Sequence, residues 1–158
     1  MSVDWLPELL LLSQFGGDWE KYLDAQYQCF CRDFIHSTPT VFHPMRWAMK
    51  RHPLQQGKEA TFWHLISDGQ NEADRLPDMR RCERICWIRP MIDSWGTDRV
   101  CCWRAQRDSK VRPIIALPDF SYVVVLQEGP EYVLLWTAYY VPGPRRREKF
   151  RNEWHTQT

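Results

Sequence analysis

A chain of 158 residues with 44% apolar content suits a single globular domain with a real core, and no apolar run is long enough to cross a bilayer, Leu9 to Leu12 being far too short. The formal charge is only +1, but residues 1–44 hold six acids against Lys21 and Arg32, a net of −4, so the remainder carries +5, mostly as arginine. The six cysteines include no C-x2-C pair, which argues against a zinc ribbon or a secreted disulfide framework and for buried free thiols.

Trp5 to Phe15 reads as a helix, with Pro7 tolerated in its first turn and Gly16-Gly17 ending it. Asp18 is placed to cap a second helix over Trp19 to Phe34, where Tyr22, Leu23, Tyr27, Phe30 and Phe34 recur at helical spacing. This N-terminus, with Asp4 and Glu8, lacks the basic flank and cleavage signature of a secretory signal, so a cytoplasmic protein is expected. Val41 to Lys50 is ambiguous, alternating Val41, His43 and Met45 as an extended segment would. A turn spans His52-Pro53 to Gly57, and Lys58 to Ser67 reads as a short helix stopped by Asp68 and Gly69. Asp68 to Asp78 is a polar loop.

Five strand-like runs follow, Cys82–Ile92, Arg99–Gln106, Val111–Leu117, Phe120–Gln127 and Tyr132–Val141, separated by SWGTD, RDSK, LPD and QEGPE. Short turns between successive strands imply an antiparallel meander, in which Pro113 and Pro118 would mark an edge or a bulge. Pro142-Gly143-Pro144 stops the last strand, and the basic tail RRREKFRNEW can be helical. The expected fold is a single α+β domain. Its N-terminal helical part covers residues 1–57; a helix, one twisted antiparallel sheet of four to five strands and a short C-terminal helix cover 58–158.

The chain has no Gly-rich phosphate loop, no H-E-x-x-H, no serine-hydrolase elbow and no carboxylate pair that stands out, so neither a metal nor a cofactor is expected. What remains suits acid–base chemistry on a phosphodiester. RNA supplies its own 2′-hydroxyl nucleophile, so an enzyme that cuts it needs a base, an acid and cations for the phosphorane charge. His64 points away from the apolar stripe of Phe62, Leu65 and Ile66 and has an unperturbed pKa near working pH. Beyond the loop come Arg75, Arg80, Arg81 and Arg84, and Arg84 or its neighbour Arg81 could hold the phosphate. Thr137 and Tyr139 share one face of the last strand, and their hydroxyls could orient it. Lys149 and Glu153, four apart on the tail, could pair with each other or frame the site.

FWHLIS, RCERICWI and LLWTAYYV, in that order, resemble the signature of the Barnase–EndoU–ColicinE5/D–RelE-like nuclease superfamily, over roughly Lys58 to Trp154. The resemblance implies a small metal-independent RNase toxin of bacterial or phage type, with His64, Arg84 and Thr137 at the active site. It also implies RNA as substrate, tRNA or mRNA, and a cognate antitoxin or immunity protein as partner. No membrane partner is expected.

Plainer roles stand beside these. His36, His43, His52 or His155 could supply the acid instead of His64. Arg84 could simply pair with Glu83 or Asp78, Thr137 could be packing, and Tyr139 and Tyr140 could be core aromatics. The run Arg145, Arg146, Arg147 could be a solvated face rather than an RNA contact, and Trp95, in a turn, could stack on a base. Two non-enzymatic readings remain open: a module that binds nucleic acid through the arginine-rich stretches, and a protein-interaction or inhibitor protein using an aromatic surface. The acidic N-terminal helices could also cover the basic face as an internal RNA mimic, in which case deleting residues 1–44 would raise activity.

Overall fold

The computed structural model describes residues 3–69, 71 and 74–157. In chain order its helices are α1 (Trp19–Phe30), α2 (Ala60–Ile66), α3 (Met79–Glu83), α4 (Ile88–Asp93) and α5 (Pro144–Thr156). Its strands are β1 (Arg46–Met49), β2 (Ser67–Asp68), β3 (Leu76–Pro77), β4 (Cys101–Arg107), β5 (Lys110–Ala116), β6 (Tyr122–Glu128) and β7 (Tyr132–Tyr140). The architecture is α+β: a five-stranded sheet in the order β1-β7-β6-β5-β4, a two-stranded ribbon of β2 and β3, helices before the sheet and one after it.

Strands β4 to β7 form the antiparallel meander read from the turn sequences. The fifth strand is not Cys82–Ile92. It is β1, which lies parallel to β7, so the sheet is mixed. Cys82–Ile92 is helical, formed by α3, a 3-10 turn over Ile85–Trp87, and α4. Its buried positions Cys82, Ile85, Ile88, Met91 and Ile92 fall three and four apart, the spacing of one helix face, whereas a strand would alternate. Asp78 starts this segment by accepting from Arg80 N at 3.0 Å and Arg81 N at 3.2 Å. Asp78→Ala should therefore lower stability by about 1 kcal/mol in urea unfolding, the usual worth of an N-cap. A change near zero would mean that the cap does not hold α3.

The expected helix over Trp5 to Phe15 is reduced to a 3-10 turn at Leu12–Phe15. The backbone ahead of it is held by other elements. Trp87 Nε1 donates to Pro7 O at 2.8 Å, Leu10 N to Glu83 O at 3.0 Å, and Tyr22 Oη to Leu10 O at 2.7 Å. Helix α1 begins as read, with Asp18 accepting from Lys21 N at 3.3 Å, and continues as a π-turn through Cys31–Ile35 that still buries Phe34. Pro113 lies in the inner strand β5, not at an edge. The β5–β6 ladder pairs Val111 with Glu128 and resumes at Ile114 with Val125.

Two cores sandwich the sheet. On the first face, Phe30 of α1, Phe62 and Leu65 of α2, and Ile88 and Met91 of α4 pack against Val124, Leu126 and Leu135. On the second, Phe150 of α5 packs with Trp103, Phe120 and Val123. Because Tyr22, Leu23 and Phe30 belong to the first core, the acidic N-terminal segment is a wall of the fold and not a detachable cover. All six cysteines are free thiols, and burial pushes that of Cys82 up to about 12.

Candidate functional site

The arginines gather at the end of β7. Strand β1 pairs with Tyr132–Leu135, so among the described residues Trp136–Tyr140 has no strand neighbour on that side. Helices α2 and α3 contact the strand there instead, and α5 folds back from just beyond it. A β-bulge shapes this stretch. Val125 pairs with Thr137 but Leu126 pairs with Leu135, which leaves Trp136 as the extra residue. Below the bulge, Val133 and Leu135 point into the first core. Above it the inward positions are Ala138 and Tyr140, so Thr137 and Tyr139 turn to the second face.

Tyr140 is ringed by guanidiniums. Arg80 lies 4.5 Å, Arg84 4.6 Å and Arg147 5.6 Å from its ring centre, and Arg147 also donates to the phenol oxygen at 3.1 Å. Tyr139 is flanked by Arg146 at 4.8 Å and Arg81 at 5.5 Å, and Arg146 donates to its hydroxyl at 3.1 Å. Aromatic faces let cations sit close together without a carboxylate between each pair. The nearby carboxylates are already committed: Glu83 to Arg84 at 3.4 Å, and Asp68 and Asp78 to Arg81 at 3.6 and 3.8 Å. The contacts of Arg80, Arg146 and Arg147 are to rings, hydroxyls and the Val141 carbonyl.

Within the cluster the residues divide by role. Arg81 is structural: it donates to His64 O at 3.1 Å and Ser67 O at 2.7 Å, closing the C-terminal end of α2 together with Arg75. Arg84 is not a strand residue. It ends α3, with φ −115° and ψ 12°, and packs between the rings of Tyr140 and Trp87. Its Nε is buried between them with no hydrogen-bond acceptor among the described residues. Tyr122 Oη reaches the Arg84 carbonyl at 3.5 Å, and burial raises the Tyr122 phenol well above its ordinary value.

His64, on the outward side of α2, does not join the cluster. It lines a separate hollow of about 40 Å³ with Lys50, Thr61, Leu135 and Trp136. The hollow sits at Trp136 and the arginine cluster at Tyr139 and Tyr140, farther along the same strand edge, and the His64 carbonyl, which accepts from Arg81 at 3.1 Å, links the two through the backbone of α2. Thr137 lies on the face opposite His64, so His64, Arg84 and Thr137 do not share one cleft. Arg145 is exposed in the first turn of α5. The alternative histidines His36, His43, His52 and His155 are exposed, and none lines the hollow at Trp136.

Lys149 meets Tyr139 and Arg146 in a second pocket, but Glu153 is not its partner. Glu153 accepts from both Arg107, at 2.8 Å, and Trp103 Nε1, at 2.7 Å. Trp95 is no free platform either: it packs 4.8 Å from Phe42 and carries Arg104 at 5.3 Å. Sequence reasoning passed over Tyr140, Trp87, Lys50 and Arg107 as site residues. Only the aromatic–arginine alternation around Tyr140 offered a signal.

No family model matches this chain, and neither the curated proteins nor the solved structures searched contain a match.

Proposed function

We propose that this protein acts on RNA as a metal-independent endoribonuclease of toxin type, with the bound strand laid along the open edge of β7. One observation carries the reading: side chains from α2, α3, β7 and α5, distant in sequence, converge on the last five residues of that strand as a cationic strip with a histidine at one end. Arginine on a fixed aromatic face is a pre-organised bidentate phosphate ligand. On this reading Arg80, Arg84 and Arg147 hold backbone phosphate against Tyr140. His64, with Lys50 beside it, works on the adjoining sugar–phosphate, taking the 2′-hydroxyl proton or protonating the 5′-oxygen. Thr137, on the far face, is removed from the chemical step and Tyr139 becomes a contact for the flanking strand. The resemblance of FWHLIS and LLWTAYYV to the RNase-toxin superfamily supports the same reading and adds a cognate antitoxin or immunity protein to the proposal, whereas RCERICWI, helical here, does not supply the strand arginine that the resemblance implied.

A second reading, nucleic-acid binding without cleavage, is favoured by the separation of His64 from the arginine cluster. Total RNA incubated with the pure protein in EDTA decides between them. Fragments ending in 2′,3′-cyclic phosphate and 5′-hydroxyl are expected. Salt-dependent binding with intact RNA would leave the binding module alone standing.

A further inference from the structure

The second face of the sheet holds a pocket of which the reading above uses Tyr139 alone. It has a volume of about 190 Å³ and is lined by Arg107, Tyr139, Arg146, Lys149, Phe150 and Glu153. Arg146, Lys149, Phe150 and Glu153 fall on one side of α5 by their spacing of three, four and seven. Three cations thus face a single carboxylate. That carboxylate is spent, because Glu153 takes both Arg107 hydrogen bonds and the Trp103 indole N–H. Arg146 is held on the Tyr139 ring, and Lys149 is exposed at the pocket wall. The uncompensated charge, two positive, sits in a hollow wide enough for a phosphate group but walled by rings already occupied by guanidiniums, which leaves no open aromatic face for a base.

We propose that this pocket binds a phosphate of the same polynucleotide strand held at Tyr140, so that the strand turns around the end of β7 from one face of the sheet to the other. The inference rests on the RNA reading and assigns it a second phosphate subsite. Tyr139 and Tyr140 make the connection. They are consecutive, face opposite sides, and each is gripped by one of the consecutive residues Arg146 and Arg147. A strand rounding the end of β7 therefore passes from the Tyr140 cluster to this pocket by way of two consecutive residues of α5.

The test measures binding of a labelled 12-nucleotide RNA across a salt series, using wild type, Lys149→Ala, Arg80→Ala and, as a charge-matched control on α1, Lys21→Ala. Loss of one phosphate contact should reduce the log–log salt slope by about 0.7. Lys149→Ala and Arg80→Ala should each do so, and their combination should reduce it by the sum, with Lys21→Ala unchanged. If Arg80→Ala lowers the slope and Lys149→Ala does not, the pocket is refuted while the RNA reading stands, even if inorganic phosphate binds there. Should wild type fail to bind RNA, the RNA reading falls and inorganic phosphate becomes the probe. Shifts of the Lys149 and Phe150 amides that vanish in Lys149→Ala would keep the pocket as an anion site, and no shifts would overturn it.

Discussion

His64→Ala is expected to slow RNA cleavage about 10²- to 10⁴-fold while leaving RNA affinity nearly unchanged, the pattern of a group that acts only in the transition state. The fold should survive the change. Packing of α2 rests on Phe62, Leu65 and Ile66, which are fully buried, whereas the imidazole lies on the helix's other side. Arg84→Ala gives the contrast. It removes a guanidinium from the phosphate cluster, so both affinity and rate should fall, and Arg84→Lys should recover only part of either because the ammonium lacks the planar fork. Single-turnover cleavage and equilibrium binding on the same preparations separate these effects. Equal cleavage rates for wild type and His64→Ala would discard the histidine as acid or base. Equal affinities for wild type and Arg84→Ala would move phosphate binding away from Tyr140.

The largest stability effect should come from Phe62→Ala, at about 3–5 kcal/mol. Phe62 is fully buried and joins α2 to α1 through rings on every side: its centre lies 5.1 Å from Tyr27, 5.5 Å from Phe30 and 5.4 Å from Trp63. Truncation leaves a cavity among rigid rings that cannot collapse to fill it, so the cost should sit at the upper end for a core residue. Urea unfolding of wild type and variant measures it. A loss below about 1 kcal/mol would mean that the α1–α2 contact contributes little to the folded state.

The legible parts of this chain were those with a single dominant local signal. Asp18 before an amphipathic run gave α1, and four strand-like runs between turn sequences gave β4 to β7. RICWIRPMI misled because β-branched and aromatic residues three or four apart also satisfy a strand template when the run is short. The capping carboxylate of Asp78, not the apolar content, was the informative residue. The parallel pairing of β1 with β7 was not legible, since no turn connects two strands with residues 50–131 between them. For the site, residue type pointed to the arginine-rich stretches, and the structure brings Arg80, Arg84 and Arg147 together around Tyr140. What could not be read was their common partner. Tyr140 looked like a core residue because it is half-buried against the first core, with that packing and its guanidinium contacts on the same ring.

The unpaired Trp136 gives β7 a parity. Looped out of the ladder, it lets Leu126 face Leu135 and Val125 face Thr137 as adjacent pairs, with Tyr139 and Tyr140 on opposite faces. Deleting Trp136 would close the ladder on the same pairs, so both tyrosines would stay with their arginines and the strand would lose only the local kink and twist of the bulge. A slip that paired Val125 with Trp136 would do the opposite, sending Tyr139 inward among the helices and Tyr140 out toward α5, away from their arginines. Loss of position 136 should therefore be tolerated better than insertion of a further residue within Thr137–Tyr140.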